Sequence, residues 1–361
     1  MDTARLLQLR LVNQRLLSSP LTRPQDVVAA LGAVQAQDYP AAKWAVGQRL
    51  QQGTDAEVEK AFDGGRILRT HVLRPTWHFV SPRDIRWMLD LTGPRLKRSL
   101  QGAYRRLGLQ EDVLRATNRA LAKALGRGDA LTREELAAPV REVGVSGGAL
   151  RMVPILAWAE FDGLICSGPR RGRHFTYMLL EARVPRAARL GRDEALAELT
   201  LRYFESHGPA TVRDFIWWSG LTAADVKLGI AAVARKLEQA DVDGATYWWR
   251  EPQSRLKPPA ASFAHLLPVY DEYFVAYRDR SAAAPDRRAS TTSTFHENPI
   301  FYPTVVVNGR LVSAWTRTMG KAKTVVTAGP PAVAASIKPA IAAAAARYER
   351  FLGRPVSVQW K

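Results

Sequence analysis

Cysteine is nearly absent: Cys166 is the only one in 361 residues. A single thiol excludes an internal disulfide and any Cys-based zinc cage. Long apolar runs are missing as well, and no stretch approaches the roughly 18 residues of a membrane span. There is no Walker loop, no GxGxxG after a strand and no HExxH, so neither a nucleotide cofactor nor zincin chemistry is expected, and no cofactor or metal is called for. Acidic residues are in short supply, with 34 Asp and Glu against 52 Lys and Arg, a net charge of +18 and a pI of about 10.4. The chain is 47 % hydrophobic, enough to build real cores, so it is not a disordered basic tail. The positive surplus calls for a polyanionic partner, nucleic acid ahead of an anionic membrane. Of the 52 basic residues 41 are Arg, a bias that GC-rich coding explains, whereas the excess of base over acid it does not. Met1-Asp2-Thr3-Ala4-Arg5 leads into an amphipathic pattern rather than a signal peptide, so the cytoplasm is the expected compartment.

The length suggests two or three domains, and a capping pattern divides them. Thr22-Arg23-Pro24-Gln25, Thr132-Arg133-Glu134-Glu135 and Thr211-Val212-Arg213-Asp214 each place a Thr three residues before an acid or amide, the spacing of a helix N-terminal box. Helical stretches precede them at about 3–18, 111–125 and 194–207. After the third box, Phe215 to Trp218 end at Ser219-Gly220, and a second helix is expected from Thr222 to about Gln239, a helix-turn-helix arrangement. Hairpins follow: Ile67–Leu73 with Thr76–Val80 around Arg74-Pro75, Phe161–Cys166 with His174–Leu179 around a Gly- and Arg-rich turn, and Leu237–Val242 with Thr246–Arg250 around Asp243-Gly244. The expectation is three tandem winged-helix units, 1–108, 109–190 and 191–257. Lys257-Pro258-Pro259 reads as a linker to a β-rich α+β domain, 258–361. There, strands are expected at 266–270, 304–307, 311–315 and 324–327, with a hairpin turn at Asn308-Gly309, a polar loop over 281–298 and one Ala-rich helix over 331–351 after Pro330-Pro331.

Basic residues cluster where a duplex backbone could follow them. Arg83, Arg86, Arg95, Lys97, Arg98, Arg105 and Arg106 face only Asp84 and Asp90, and seven Arg between Cys166 and Arg192 face one Glu. Such patches contact phosphates and position a protein without reading sequence. Three segments stand out chemically. In Val34-Gln35-Ala36-Gln37-Asp38-Tyr39-Pro40, Pro40 disfavours helix at Tyr39, which puts Gln35 and Gln37 at or just past a helix end, where residues two apart share a face in extended backbone. In Arg69 to Val80, a strand over Thr76–Val80 sets Thr76 and His78 on one face and Trp77 and Phe79 on the other. His265 to Arg280 packs acids, aromatics and Arg more densely than a plain core strand requires. Each also has a structural reading: surface amides, a half-buried strand, a charge network.

Together VQAQD at 34–38, RTHVLRPTWHFV at 69–80, LLPVYDEYFVAYRDR at 266–280 and NGRLVSAWTR at 308–317 resemble the AlkZ-type DNA glycosylases, a family of bacterial winged-helix DNA-binding proteins. The segments run in order over nearly the whole chain. The resemblance implies a C-shaped α+β body in which three tandem winged helices wrap double-stranded DNA and a β-rich C-terminal domain completes the clamp. Its Gln-apolar-Gln motif falls on Gln35-Ala36-Gln37, which makes Gln35 and Gln37 the expected catalytic pair. A related branch has Asp at the second position, so Gln37 places the chain nearer the crosslink-unhooking, antibiotic-resistance branch. Expected DNA contacts are Arg74, Thr76, His78, Arg95, Lys97, Arg98, Arg170, Arg171, Arg173, Arg278 and Arg280. Asp38, His71, Trp77, Asp271, Tyr273 and Tyr277 are expected in support. A monomer at the nucleoid, independent of any nucleotide cofactor or membrane, follows from the same reading.

The expected chemistry is hydrolysis. A purine alkylated at N7 is cationic and leaves readily, so little general acid is needed. A neutral amide is a poor base, and Gln35 and Gln37 would act by positioning water and by electrostatics, with Gln37 assigned the role nearer sugar and water. Lys43, six residues on, is read as an exposed surface lysine rather than a Schiff-base nucleophile. Bulky or crosslinked adducts resist extrusion, which favours an open channel over a deep base pocket. The competing readings are a winged-helix transcription regulator, for which one preferred operator would be expected, and an RNA binder, for which single strands would compete better than duplex.

Overall fold

The computed structural model describes residues 1–17, 19–126, 128–146, 148–184, 189–251, 261–284, 298–320, 322–329 and 334–360. The expected linker at 257–259, most of the polar loop and Pro330-Pro331 lie outside the described residues. The chain opens with α1 (Thr3–Asn13), α2 (Pro24–Leu31), β1 (Ala33–Gln35), α3 (Tyr39–Gly47), α4 (Asp55–Asp63), β2 (Leu68–His71), β3 (Trp77–Val80) and the long α5 (Ile85–Arg106). It continues with α6 (Glu111–Leu125), β4 (Leu131–Thr132), α7 (Arg133–Glu142), α8 (Gly148–Phe161), β5 (Ile165–Ser167), β6 (Thr176–Leu179) and α9 (Leu180–Arg183). Next come α10 (Arg192–His207), β7 (Ala210–Thr211), α11 (Val212–Ser219), α12 (Ala223–Val233), β8 (Glu238–Val242) and β9 (Ala245–Trp249). The last segment holds β10 (Ala264–Leu267), α13 (Glu272–Val275), β11 (Thr304–Val307), β12 (Arg310–Met319), β13 (Thr324–Ala328), α14 (Lys338–Leu352) and β14 (Val356–Trp360).

One motif is used three times. A short strand, two helices and a hairpin give three-stranded sheets ordered β1-β3-β2, β4-β6-β5 and β7-β9-β8, each with the second hairpin strand in the middle. The Thr132 and Thr211 boxes form as the spacing predicts, each Thr oxygen accepting from the third helical N–H while the acid returns to the cap. Thr222 caps α12 with its side-chain oxygen alone, which accepts from the Asp225 N–H. Thr22 does not cap α2: the N-terminal position is Arg23, and Pro24 takes the first turn, where its missing N–H costs nothing. The expected helix over 3–18 stops at Asn13, and Arg15 takes a left-handed φ of 61°.

The C-terminal sheet runs β10-β11-β12-β13-β14. Asn308 and Gly309, at φ 50° and 82°, make the tight turn between β11 and β12. Pro268 follows β10, which ends three residues earlier than expected, and Tyr270 turns with φ 60°. The Ala-rich helix starts at Lys338 and is the crossover that returns the chain to β14, parallel to β13, a strand the pattern did not disclose. The cores join these parts. Val34, Trp44 and Phe62 pack in one cluster with Val305, Trp315 and Tyr348, and Val80 and Leu89 pack in another with Tyr203, Phe215 and Trp218. The first unit is thereby held from the C-terminal sheet on one side and the third unit on the other. Among the described residues no helix is long and apolar enough to cross a membrane.

Candidate active site

The glutamine motif lies on a strand end, not a helix end. Gly32, with φ 80°, stops α2 and lets the chain enter β1 at once. β1 pairs antiparallel with β3, with Gln35 opposite His78. Five polar groups of Gln35-Ala36-Gln37 have partners. The Gln35 N–H donates to Glu272 Oε1 at 2.7 Å, and Gln35 Oε1 accepts from Arg74 Nη2 at 2.8 Å. Ala36 N–H donates to Trp77 O at 2.7 Å, and Ala36 O accepts from Arg69 Nε at 3.0 Å. Gln37 Oε1 accepts from the Trp77 N–H at 3.3 Å. Arg74 and Trp77 are donors only at these atoms, so chemistry fixes both amide orientations: each carbonyl faces the β2–β3 hairpin and each NH₂ is the remaining end. Gln35 is buried and Gln37 exposed.

The hairpin turn is tight. Leu73 has φ 63°, and Thr76 N–H donates to Arg74 O at 2.7 Å. That geometry aims Arg74 back at Gln35 and at the end of α11, where it reaches Trp218 O at 3.2 Å. His78 is buried beside it. Its Nδ1 meets Thr76 O at 2.9 Å, so that nitrogen carries the proton and Nε2, 3.5 Å from Arg74 Nη2, is bare. Burial, with the Arg74 charge adding to it, pushes His78 down to about 3. It is a neutral imidazole at any physiological pH. The Thr76 hydroxyl is buried without a partner.

Glu272, which the residue pattern did not single out, is the buried charge of the site. Besides Gln35 it accepts from Trp218 Nε1 at 3.0 Å, and His207 Nε2 stands 3.4 Å away, a longer electrostatic contact. Burial pushes its carboxyl up, but His207, Arg74 and the Gln35 amide outweigh this and hold it below the ordinary carboxylate range. The only sequence signal was the acid-and-aromatic density of the segment containing it. A second buried carboxylate, Glu160, takes Nδ1 of His71, whose ring lies 4.4 Å from that of Trp77. Arg69 stacks 4.2 Å over Trp77 on the same side.

The other expected residues are distributed. Asp38 is exposed and caps α3 through Ala41 N–H at 2.9 Å. Asp271 is wholly buried in a bidentate pair with Arg49, at 2.7 and 2.9 Å. Tyr273 and Tyr277 are buried and donate to Gly309 O and His207 O. Arg280 donates to Phe274 O, and Arg278 is exposed with its backbone N–H on Asp214. Arg170 pairs with Glu59 at 3.1 Å, Arg171 with Glu135 and Lys97 with Asp162. Arg98 and Arg173 are exposed and Arg95 is half-buried. The structure thus gathers Gln35, Gln37, Arg74, Thr76, Trp77 and His78 at one hairpin. Arg95, Lys97, Arg98, Arg170, Arg171 and Arg173 stand on α5 and the β5–β6 turn. Lys43 is not exposed: it is 7 % accessible and its amine is gripped by Asp55 at 2.8 Å and Glu59 at 2.6 Å. Among the described residues no group of three or more His, Cys, Asp or Glu is placed to hold a metal ion.

This fold matches a known class of protein. Over 99 % of its length it superposes on the whole of the Streptomyces sahachiroi DNA glycosylase AlkZ, with a TM-score of 0.74 and 22 % identity, so the two share a fold. The family model described as DNA glycosylase AlkZ-like matches residues 28–351. The chain belongs to the AlkZ-like DNA glycosylase family. Its class is that of a DNA-repair glycosylase, and its substrate is DNA. No curated protein matches it.

Proposed function

We propose that the chain is a monofunctional glycosylase that hydrolyses the N-glycosidic bond of N7-alkylated purines in double-stranded DNA. In this reading it works as a monomer at the nucleoid. Three winged-helix units, 1–108, 109–190 and 191–257, and the domain 258–361 hold the duplex through phosphate contacts. One observation carries the proposal: none of Gln35, Gln37, His78 and Arg74 can give up a proton to a leaving base near pH 7. Gln35 and Gln37 are amides, His78 is neutral with its one ring proton on Thr76 O, and Arg74 is a permanent cation. Such a site suits a base that already carries its positive charge. N7 alkylation supplies that charge, and the bond to the sugar breaks toward an oxocarbenium-like state with the electron pair leaving on the purine.

Water must then be held on the sugar. The exposed Gln37 is assigned this role. Its carbonyl retains a second lone pair beside the long 3.3 Å contact to Trp77, and its NH₂ is free to meet a phosphate. Gln35, gripped by Arg74 and Glu272, supports it from below. The exposure of Gln37 is compatible with adducts too large to extrude, including antibiotic adducts and interstrand crosslinks. Against a transcription regulator stands α12, whose exposed residues Ala223, Ala224, Lys227, Leu228, Ala231 and Ala232 offer little hydrogen bonding to base edges.

The direct test is incubation with duplex bearing N7-methylguanine, or a nitrogen-mustard crosslink, followed by alkaline cleavage and gel analysis. Strand breaks at the lesion only after alkali are expected, with no adduct trapped by borohydride, because the Lys43 amine is engaged by two carboxylates. A trapped covalent adduct, or no product from either substrate, contradicts the proposal.

A further inference from the structure

Trp217 has no part in the site as described so far, yet it stands at its edge. Its side chain is 40 % exposed while the adjacent Trp218 is fully buried. The exposed ring is fixed: its Nε1 donates to Val275 O at 2.9 Å, and the Arg280 guanidinium lies 5.5 Å over its centroid. One guanidinium links it to the glutamine motif. Arg74 donates through Nη2 to Gln35 Oε1 at 2.8 Å, while its Nη1 reaches Trp218 O at 3.2 Å and Trp217 O at 3.5 Å. Gly220 makes this approach possible, since a Cβ there would lie 2.3 Å from Leu73 O. Arg278 is exposed, and its backbone N–H donates to Asp214 of α11 at 2.9 Å.

We infer that Trp217 is a substrate-binding residue that stacks on an alkylated base small enough to leave the duplex and selects its positive charge through the indole face opposite Arg280. A rigid, exposed aromatic flanked by guanidinium groups is what a nucleobase and its phosphates would meet, and base–aromatic stacking tolerates any base. Indole is the best of the aromatic side chains for holding a cation. A cationic alkylpurine gains both terms and neutral guanine gains only stacking, so the ring discriminates lesion from normal base. The inference rests on the proposed reaction for the identity of the base, and its test separates the two.

The full chain is compared with Trp217→Phe, Trp217→Leu and Trp217→Ala. Affinity is measured for a duplex carrying N7-methylguanine on a 2′-fluorinated sugar, which resists hydrolysis, and for the undamaged duplex. Single-turnover excision at saturating enzyme is measured on the unfluorinated lesion. Ala and Leu are expected to weaken lesion binding about tenfold or more, with undamaged duplex changed less than about twofold. Phe keeps most of the affinity, whereas Leu, of similar apolar bulk, does not, which separates the ring from packing. Unchanged lesion binding in both Ala and Leu, or equal losses on both duplexes, overturns the inference. Wild-type protein that binds the lesion through Trp217 but never excises it would overturn the proposed reaction and leave the recognition standing.

Discussion

Two histidines are buried without the charge that would make them acids. His78 beside Arg74, and His265 in the C-terminal sheet near Arg347 and Arg49, are each pushed down to about 3, chiefly by burial. In the unfolded chain both would titrate near 6.5. Their folded pKa lies below the unfolded one, so the unfolded state binds more protons between those values. The stability they contribute is fully present above about pH 6.5 and is lost as pH falls toward 3. Urea midpoints are expected to drop from pH 7.5 to pH 5, and His265→Gln, far from the glutamines, should flatten that slope. An unchanged slope in that variant would show that His265 is solvated. Gln35 and Gln37 stand out in the sequence through the resemblance to the family motif, though the pattern set them at a helix end and not at the end of β1. Glu272 does not, because nothing in a linear pattern shows that a carboxylate 237 residues away accepts the Gln35 N–H.

At the level of elements, what was local in the chain was readable. The Thr132 and Thr211 boxes, the Asn308-Gly309 turn and the hairpins around Arg74-Pro75 and Asp243-Gly244 depend on residues within a few positions of each other. The misreadings have the opposite cause. Thr22 has the right spacing, but Pro24 already starts the helix; β14 exists because a helix crossover brings it beside β13, which no local signal announces. The same distinction governs how the site is assembled: α11 meets the β2–β3 hairpin only because Gly220, at φ 66°, lets the α11–α12 turn close on Leu73 O. Gly220→Ala strains a left-handed residue, at a cost of about 1–2 kcal/mol, and also drives a methyl into backbone. We expect a loss of at least that much by urea denaturation, with lesion excision reduced beyond what the unfolded fraction explains. A fully stable variant would show that the two elements are not in contact.

For the whole molecule, charge and chemistry separate. The surplus of +18 points to a polyanionic partner, and the substrate of the family is DNA. The surplus already counts every acid, and some of the individual bases are engaged within the protein: Arg49 is buried on Asp271, Lys43 sits between two carboxylates, and Arg170 and Arg171 are paired. What remains exposed can hold a duplex but cannot break a glycosidic bond. That step is assigned to two uncharged side chains, so binding and rate should be separable by mutation. The decisive measurement is single-turnover excision of N7-methylguanine by the wild type, Gln35→Ala and Gln37→Ala, each with its affinity for the same duplex. If the glutamines act by positioning water, rates fall by about a hundredfold, the scale of losing one positioned polar group in an active site, with the larger loss at Gln37 and affinities nearly unchanged. Wild-type rates in both variants would contradict that role.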